Sequence, residues 1–87
     1  MKNVTMFTMA SCPYCRQALK WMEELQSEHP EYAKVPITFI DEVEHPDIAD
    51  KYDYYYVPTY YVDGKKVHEG AATKEKVENM YRAALED

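Results

Sequence analysis

The sequence is short of several things, and each shortage removes a class of function. It has no apolar run near the ~18–20 residues that span a bilayer, so no membrane helix is expected. It has no basic excess: ten Lys and Arg stand against sixteen Asp and Glu, a net charge of −6. A nucleic-acid partner would want a basic face, so none is expected. Repeats, linkers and low-complexity tracts are missing too, apart from the tyrosine-rich run Tyr52-Asp53-Tyr54-Tyr55-Tyr56. The start, Met1-Lys2-Asn3-Val4-Thr5-Met6-Phe7, lacks the apolar stretch and cleavage site of a secretory leader. The expected location is therefore the cytoplasm. A leader removed earlier would leave no trace, so export stays open.

Cysteine is scarcest where it counts most. There are two, three positions apart, in Cys12-Pro13-Tyr14-Cys15. Structural disulfides are rare in reducing compartments, so a close pair there points to redox catalysis or metal binding. A closed zinc site needs two further ligands. His29, His45 and His68 are scattered without ligand spacing and read as solvent-facing side chains. No metal and no tightly bound cofactor are expected.

What is present suits one small domain, residues 1–87. Its hydrophobic fraction is 46%, with nine Tyr, two Phe and one Trp. A chain of this size buries roughly 60–65% of its surface. Residues 3–9 carry β-formers in loose alternation and read as a strand. A helix follows from about Pro13 to Ser27, with Ala18, Trp21, Met22 and Leu25 on one face. Val35–Ile40 reads as a second strand, with Pro36 near its start. Pro46 opens a short helix to about Tyr52. Thr59–Val62 and Lys66–Glu69 flank Asp63-Gly64, a two-residue hairpin turn. Thr73 caps a last helix whose apolar face is Val77, Met80, Tyr81, Ala84 and Leu85. The order β-α-β-α-β-β-α implies an α/β fold: a four-stranded mixed sheet, the first two strands parallel through a right-handed crossover, with helices on both faces.

The thiols gain chemistry from this placement. The thiolate is the nucleophile in disulfide exchange, and an ordinary cysteine is only a few per cent ionised at neutral pH. Cys12 falls at a helix N-terminus, where unpaired N–H groups and the positive dipole end favour an anion. Such positions lower thiol pKa values to ~3.5–7.5. Cys15, one turn on, is expected to be less exposed and the poorer attacker. Pro13 stiffens the turn, and Tyr14 offers a flat surface beside the sulfur. Tyr55 and Tyr56 read as strand or half-buried edge residues, with a substrate groove as the other reading. Asp41-Glu42-Val43-Glu44 reads as a solvated loop.

A Cys-Pro-Tyr-Cys motif after a short N-terminal strand resembles the active site of dithiol glutaredoxins. The later stretches Pro46–Tyr52, Val57-Pro58-Thr59 and Gly70-Ala71-Ala72-Thr73-Lys74 resemble thioredoxin. The resemblance covers nearly the whole chain and implies a thioredoxin fold. It implies Cys12 as attacking thiolate and Cys15 as resolving thiol. It also implies that Pro58 is cis, and that Val57 pairs with the bound substrate like an added strand. Pro13, Tyr14, Val57, Pro58 and Gly70 are the substrate-contacting residues it suggests.

The chain departs from both patterns. It has no basic residue just before Cys12 or before Val57, and no Asp in Glu69-Gly70-Ala71-Ala72-Thr73, features glutaredoxins use to hold glutathione. It has Ser11 and Met6 where thioredoxins carry Trp and a buried Asp. The expected function is a monomeric thiol–disulfide oxidoreductase, glutaredoxin-like, reducing protein or mixed disulfides with glutathione as co-substrate. The alternative is a thioredoxin-like electron donor recharged by a flavin-containing reductase. An iron–sulfur-binding module and a non-catalytic interaction domain are the remaining readings.

Overall fold

Val4 and Met6 project to one side of their strand and Phe7 to the other, and each side receives its own core. The structure, a computed structural model, describes residues 1–86. Strand β1 (Val4–Thr8) leads into helix α1 (Pro13–Glu28) and a 3₁₀ turn (Pro30–Lys34). Strand β2 (Ile37–Asp41), the short helix α2 (Pro46–Ala49), strands β3 (Thr59–Val62) and β4 (Lys65–Glu69), and helix α3 (Lys74–Leu85) follow. The sheet order is β2-β1-β3-β4. β1 runs parallel to β2, with Thr8 opposite Asp41, and antiparallel to β3, with Phe7 opposite Thr59. This is the mixed four-stranded α/β architecture expected from the sequence.

The two faces explain the burial. On one, Val4, Met6, Tyr60 and Val62 pack against α1 and α3 through Ala18, Met22, Leu25, Val77, Met80 and Tyr81. On the other, Phe7, Ile40 and Tyr61 pack against Ala49 of α2. β3 lies between β1 and β4 with both faces covered, so all four of its residues are buried. Tyr32, in the 3₁₀ turn, stacks on Tyr81 of α3 with ring centroids 4.8 Å apart and planes 4° from parallel. Its hydroxyl donates to Glu78 at 2.8 Å.

Local signals hold where they were read. Asp63 and Gly64 both have positive φ, 53° and 82°, as a two-residue hairpin turn requires. The Thr73 hydroxyl accepts from the Lys76 N–H at 3.2 Å, capping α3; such caps are worth about 1 kcal/mol.

Three expectations need correction, and one stretch carried no assignment. α2 ends at Ala49 instead of near Tyr52, and the chain leaves it through turn hydrogen bonds from the N–H groups of Lys51 and Tyr52. The chain after α1 forms a 3₁₀ turn, because burying Tyr32 against α3 gives it a tertiary anchor. Asp41 is the last residue of β2 and half-buried. Of the histidines, only His45 is exposed; His29 and His68 are half-buried, His29 tilted against the Tyr32 ring and His68 Nε2 2.7 Å from the Gly70 carbonyl.

Candidate functional site: two thiols at the start of a helix

β1 and β2 end side by side, and β3, running the other way, begins there. Cys12 lies four residues beyond β1 and Pro58 lies directly before β3, so the topology gathers them at one end of the sheet. Cys12 is the N-cap of α1, in extended conformation, and Pro13 is the first helical residue. The Cys12 carbonyl accepts the first helical bonds, from the N–H groups of Cys15 at 3.1 Å and Arg16 at 3.2 Å. Pro13 has no N–H to lose at that position, which is why proline fits there.

The two thiols are free and differ in setting. Cys12 is 9% exposed and Cys15 1%. Burial pushes the Cys12 thiol up. Hydrogen bonding from the Cys15 N–H and thiol, the Tyr14 N–H and the positive charge of Arg16 together outweigh it, leaving the thiol below its ordinary value. The neutral thiol makes no capping bond; it is the anion that the first-turn N–H groups favour. Burial dominates at Cys15 and raises its thiol, with further upward pressure from Cys12. The Thr8 hydroxyl and the Met9 N–H oppose this without reversing it.

The turn before Cys12 is held from both sides of one residue. The Ala10 N–H donates to the Asp41 carboxylate at 3.3 Å, and the Ala10 carbonyl accepts from the Arg16 guanidinium at 3.0 Å. Asp41 also accepts from the N–H groups of Val43 at 2.8 Å and Glu44 at 3.3 Å. One carboxylate thus joins the turn before the thiols to the loop after β2. Asp41 was read as solvated because its partner Ala10 lies 31 residues away; only the parallel pairing of β1 with β2 brings them together. Replacing Asp41 by Ala is expected to destabilise the protein by ~0.5–1.5 kcal/mol, the net worth of hydrogen bonds whose donors water can reach. Urea unfolding would measure this. Amide hydrogen exchange at Ala10, Val43 and Glu44 should accelerate together.

Val57–Pro58 is a cis peptide. Pro58 is buried and Val57 half-buried. The Gly70 N–H donates to the Pro58 carbonyl at 2.9 Å, so the start of β3 and the end of β4 are joined beside the site. Gly70 has φ +89°, and a Cβ there would meet Tyr56 Cβ at 3.7 Å; backbone conformation rather than space favours glycine. Tyr14 is 61% exposed beside the thiols. The site residues read from the sequence are thus placed at one end of the sheet, on α1, before β3 and after β4.

The tyrosine run divides. Tyr54 stacks on Phe7 with centroids 4.7 Å apart, and its hydroxyl donates to Glu42 at 2.8 Å. Tyr55 and Tyr56 are 84% and 70% exposed, which corrects their reading as half-buried edge residues. Their backbone is fixed instead: the Glu69 carboxylate accepts from the N–H groups of Tyr55 at 2.6 Å and Tyr56 at 3.1 Å. Lys66 donates to the same carboxylate at 2.7 Å. Its Lys66 bond and these two N–H bonds depress Glu69 to about 2. No sequence motif marked Glu69. A strand-end acid opposite an aromatic loop was the only available hint.

Among the described residues, no group of three or more His, Cys, Asp or Glu side chains could hold a metal ion. No helix there is long and apolar enough to cross a membrane.

The relatives agree with the geometry. The sequence matches the Thioredoxin domain family over residues 2–82. It is 35% identical over 83 residues to a thioredoxin of Methanocaldococcus jannaschii, covering 95% of each chain. Among solved structures, Fasciola hepatica thioredoxin shares 26% identity with a TM-score of 0.69, covering 95% of this chain and 80% of the other. Oxidised thioredoxin O1 of Arabidopsis thaliana superposes with a TM-score of 0.73 at 24% identity, covering 99% and 79%. With its thioredoxin fold and two neighbouring thiols, the chain belongs to the thioredoxin domain family, as a thioredoxin-like disulfide oxidoreductase.

Proposed function

We propose that this protein reduces protein disulfides by a dithiol mechanism, with Cys12 as nucleophile and Cys15 as resolving thiol, and that a flavin-containing reductase recharges it. The observation carrying the assignment of roles is the opposite displacement of the two thiols. Cys12, at the mouth of α1, is held below the ordinary range, and the more buried Cys15 above it. The Cys12 thiolate attacks one sulfur of the target disulfide, whose bond breaks as the other sulfur leaves and takes a proton from water. Cys15 then gives up its proton and attacks the Cys12 sulfur. The second target thiol is released, and the Cys12–Cys15 disulfide holds the two electrons' worth of oxidation that the substrate lost.

The choice of donor rests on the surroundings. Glutathione carries two carboxylates and an amine. Near the cis proline the chain offers Tyr54, Tyr55 and Tyr56 without a cation, and after Gly70 it offers Ala71, Ala72 and Thr73 without an acid. Glu69 and Lys66 are engaged with each other, and Arg16 with Ala10. The 35%-identical relative is named a thioredoxin. We place the protein in the cytoplasm as a monomer without a bound cofactor, where such a reductase would meet it. Two thiols per chain leave an iron–sulfur cluster short of its four usual ligands.

The test is regeneration. The oxidised protein is offered either glutathione with glutathione reductase or a thioredoxin reductase, and NADPH consumption is followed. Turnover with thioredoxin reductase alone is expected; turnover with glutathione alone would reverse the choice of donor. The span from a glutaredoxin-like ~−200 mV to a thioredoxin-like ~−270 mV corresponds to about 3.3 kcal/mol for two electrons.

The thiol order has its own check. Alkylation of Cys12 by iodoacetamide follows the thiolate fraction, so its rate should rise with pH and level off below the ~8.5 of an ordinary thiol. Cys15 should react only above that value. Replacing Arg16 with Gln removes a positive charge that favours the thiolate, so the Cys12 midpoint should move up.

A further inference from the structure

At the thiol end of the sheet, on the α2 side, a cleft of about 360 Å³ is lined by Glu42, Val43, Asp50, Tyr52, Tyr54 and Tyr55, with Pro46 and Ala49 of α2. Its size is near the bottom of the ~300–1,000 Å³ typical of ligand pockets and suits one side chain. A second hollow of about 240 Å³, lined by Met9, Ala10, Ser11, Asp41, Val43 and Glu44, lies against the turn that precedes Cys12. The two hollows are neighbours, with Val43 lining both.

We propose that the tyrosine cleft binds a lysine or arginine side chain of the disulfide-bearing substrate, seated while the target disulfide meets Cys12. This rests on the disulfide-reductase reading above and adds a substrate class to it. Two arguments converge on a cation. The charge is one-sided: Glu42 and Asp50 line the cleft, Asp41 and Glu44 line the adjoining hollow, and no Lys, Arg or His lines either among the described residues. The walls are aromatic as well, and tyrosine faces attract ammonium and guanidinium groups. An apolar ligand would meet the two carboxylates unfavourably, and an anion would be repelled.

The walls are also built to hold still. Tyr52 and Tyr54 both pack on Phe7 with centroids 4.7 Å away, and Tyr52 packs edge-on to Tyr61 at 5.0 Å. The Tyr54 hydroxyl donates to Glu42, orienting that carboxylate. Tyr55 leaves its ring 84% exposed while its N–H is fixed on Glu69, so the ring is presented by a tethered backbone. A rigid aromatic loses little conformational freedom on binding. The loop that forms this wall continues through Tyr56 into Val57 and the cis proline.

Two peptides test the proposal. They are identical except that one carries Lys and the other Gln, placed in turn at successive positions on either side of a half-cystine. With the half-cystine replaced by Ser, their binding is read from the ring signals of Tyr52, Tyr54 and Tyr55 by NMR. As disulfides, their reduction is read as kcat and KM. At the favoured position the Lys peptide is expected to bind about tenfold more tightly and to show a correspondingly lower KM at similar kcat, a factor equal to 1.4 kcal/mol. The preference should shrink with added salt. Asp50→Asn and Glu42→Gln, the latter keeping an acceptor for the Tyr54 hydroxyl, should each reduce it, and the double variant should abolish it. Equal binding of the two peptides at every position, or a Lys preference that survives the double variant, overturns the cleft while leaving the reductase reading intact. Selective binding of the Lys peptide without disulfide reduction would support the cleft and overturn the reductase reading instead.

Discussion

Cys12→Ser is expected to lower disulfide reduction at least about a thousandfold, to the level of the reaction without protein. A serine hydroxyl is not ionised at neutral pH, so the first-turn N–H groups and Arg16 that favour a thiolate have no anion to favour. Cys15 cannot take over. It is 1% exposed, and burial holds its thiol above the ordinary range. The partner variant separates the steps. Cys15→Ser leaves the attacking thiolate in place and removes the resolving one, so a mixed disulfide between Cys12 and the substrate should accumulate. Mass spectrometry of the quenched reaction would detect it as an adduct released by dithiothreitol. If Cys15→Ser were as inert as Cys12→Ser and trapped nothing, the assignment of roles would be wrong. If Cys12→Ser reduced insulin at the wild-type rate, the chemistry would lie elsewhere.

How much of this could be read before the fold was known depends on how far each residue's partner lies along the chain. The thiol pair, the helix that starts at Pro13 and the Asp63-Gly64 turn were legible because the residues that define them are neighbours. The parallel pairing of β1 with β2 followed from connection rules, since a helical crossover joins them. The acids whose roles were missed both depend on contacts between segments far apart in the chain. Asp41 holds the turn before Cys12 across 31 residues, and Glu69 holds the tyrosine loop across 14 and 13. Both acids sit at strand ends, where hydropathy says only that they are polar. Tyr54, Tyr55 and Tyr56 are identical in type, yet one packs on Phe7 and two face water, a distinction only the loop's path makes. The Cys-Pro-Tyr-Cys motif resembles glutaredoxins, whereas the matched family is the thioredoxin domain over residues 2–82, so the short motif and the whole chain point to different branches.

The largest effect on stability should come from Tyr60. It is fully buried at the centre of β3, on the face that receives α1 and α3, and its hydroxyl points at Met22 Sδ at 3.3 Å. Burial, with smaller contributions from Tyr81 and Cys15, pushes its hydroxyl well above the ordinary tyrosine range, so it stays neutral under the thiols. Tyr60→Ala would empty the space between the sheet and both helices. Losing a buried aromatic side chain costs ~3–5 kcal/mol, a large share of the ~5–15 kcal/mol that holds a small domain together. A domain of this size loses about 4–8 °C of Tm per kcal/mol, so the melting temperature should fall by roughly 12–40 °C. Tyr60→Phe separates volume from polarity. It keeps the ring and removes a hydroxyl whose acceptor is a weak thioether, so its cost should stay within ~1.5 kcal/mol. Calorimetry on both variants decides between the two. A small loss for Tyr60→Ala would show that α1 and α3 collapse onto the sheet and refill the space. A loss for Tyr60→Phe as large as that for Tyr60→Ala would place the stabilisation in the hydroxyl contact with Met22 instead of in the packing.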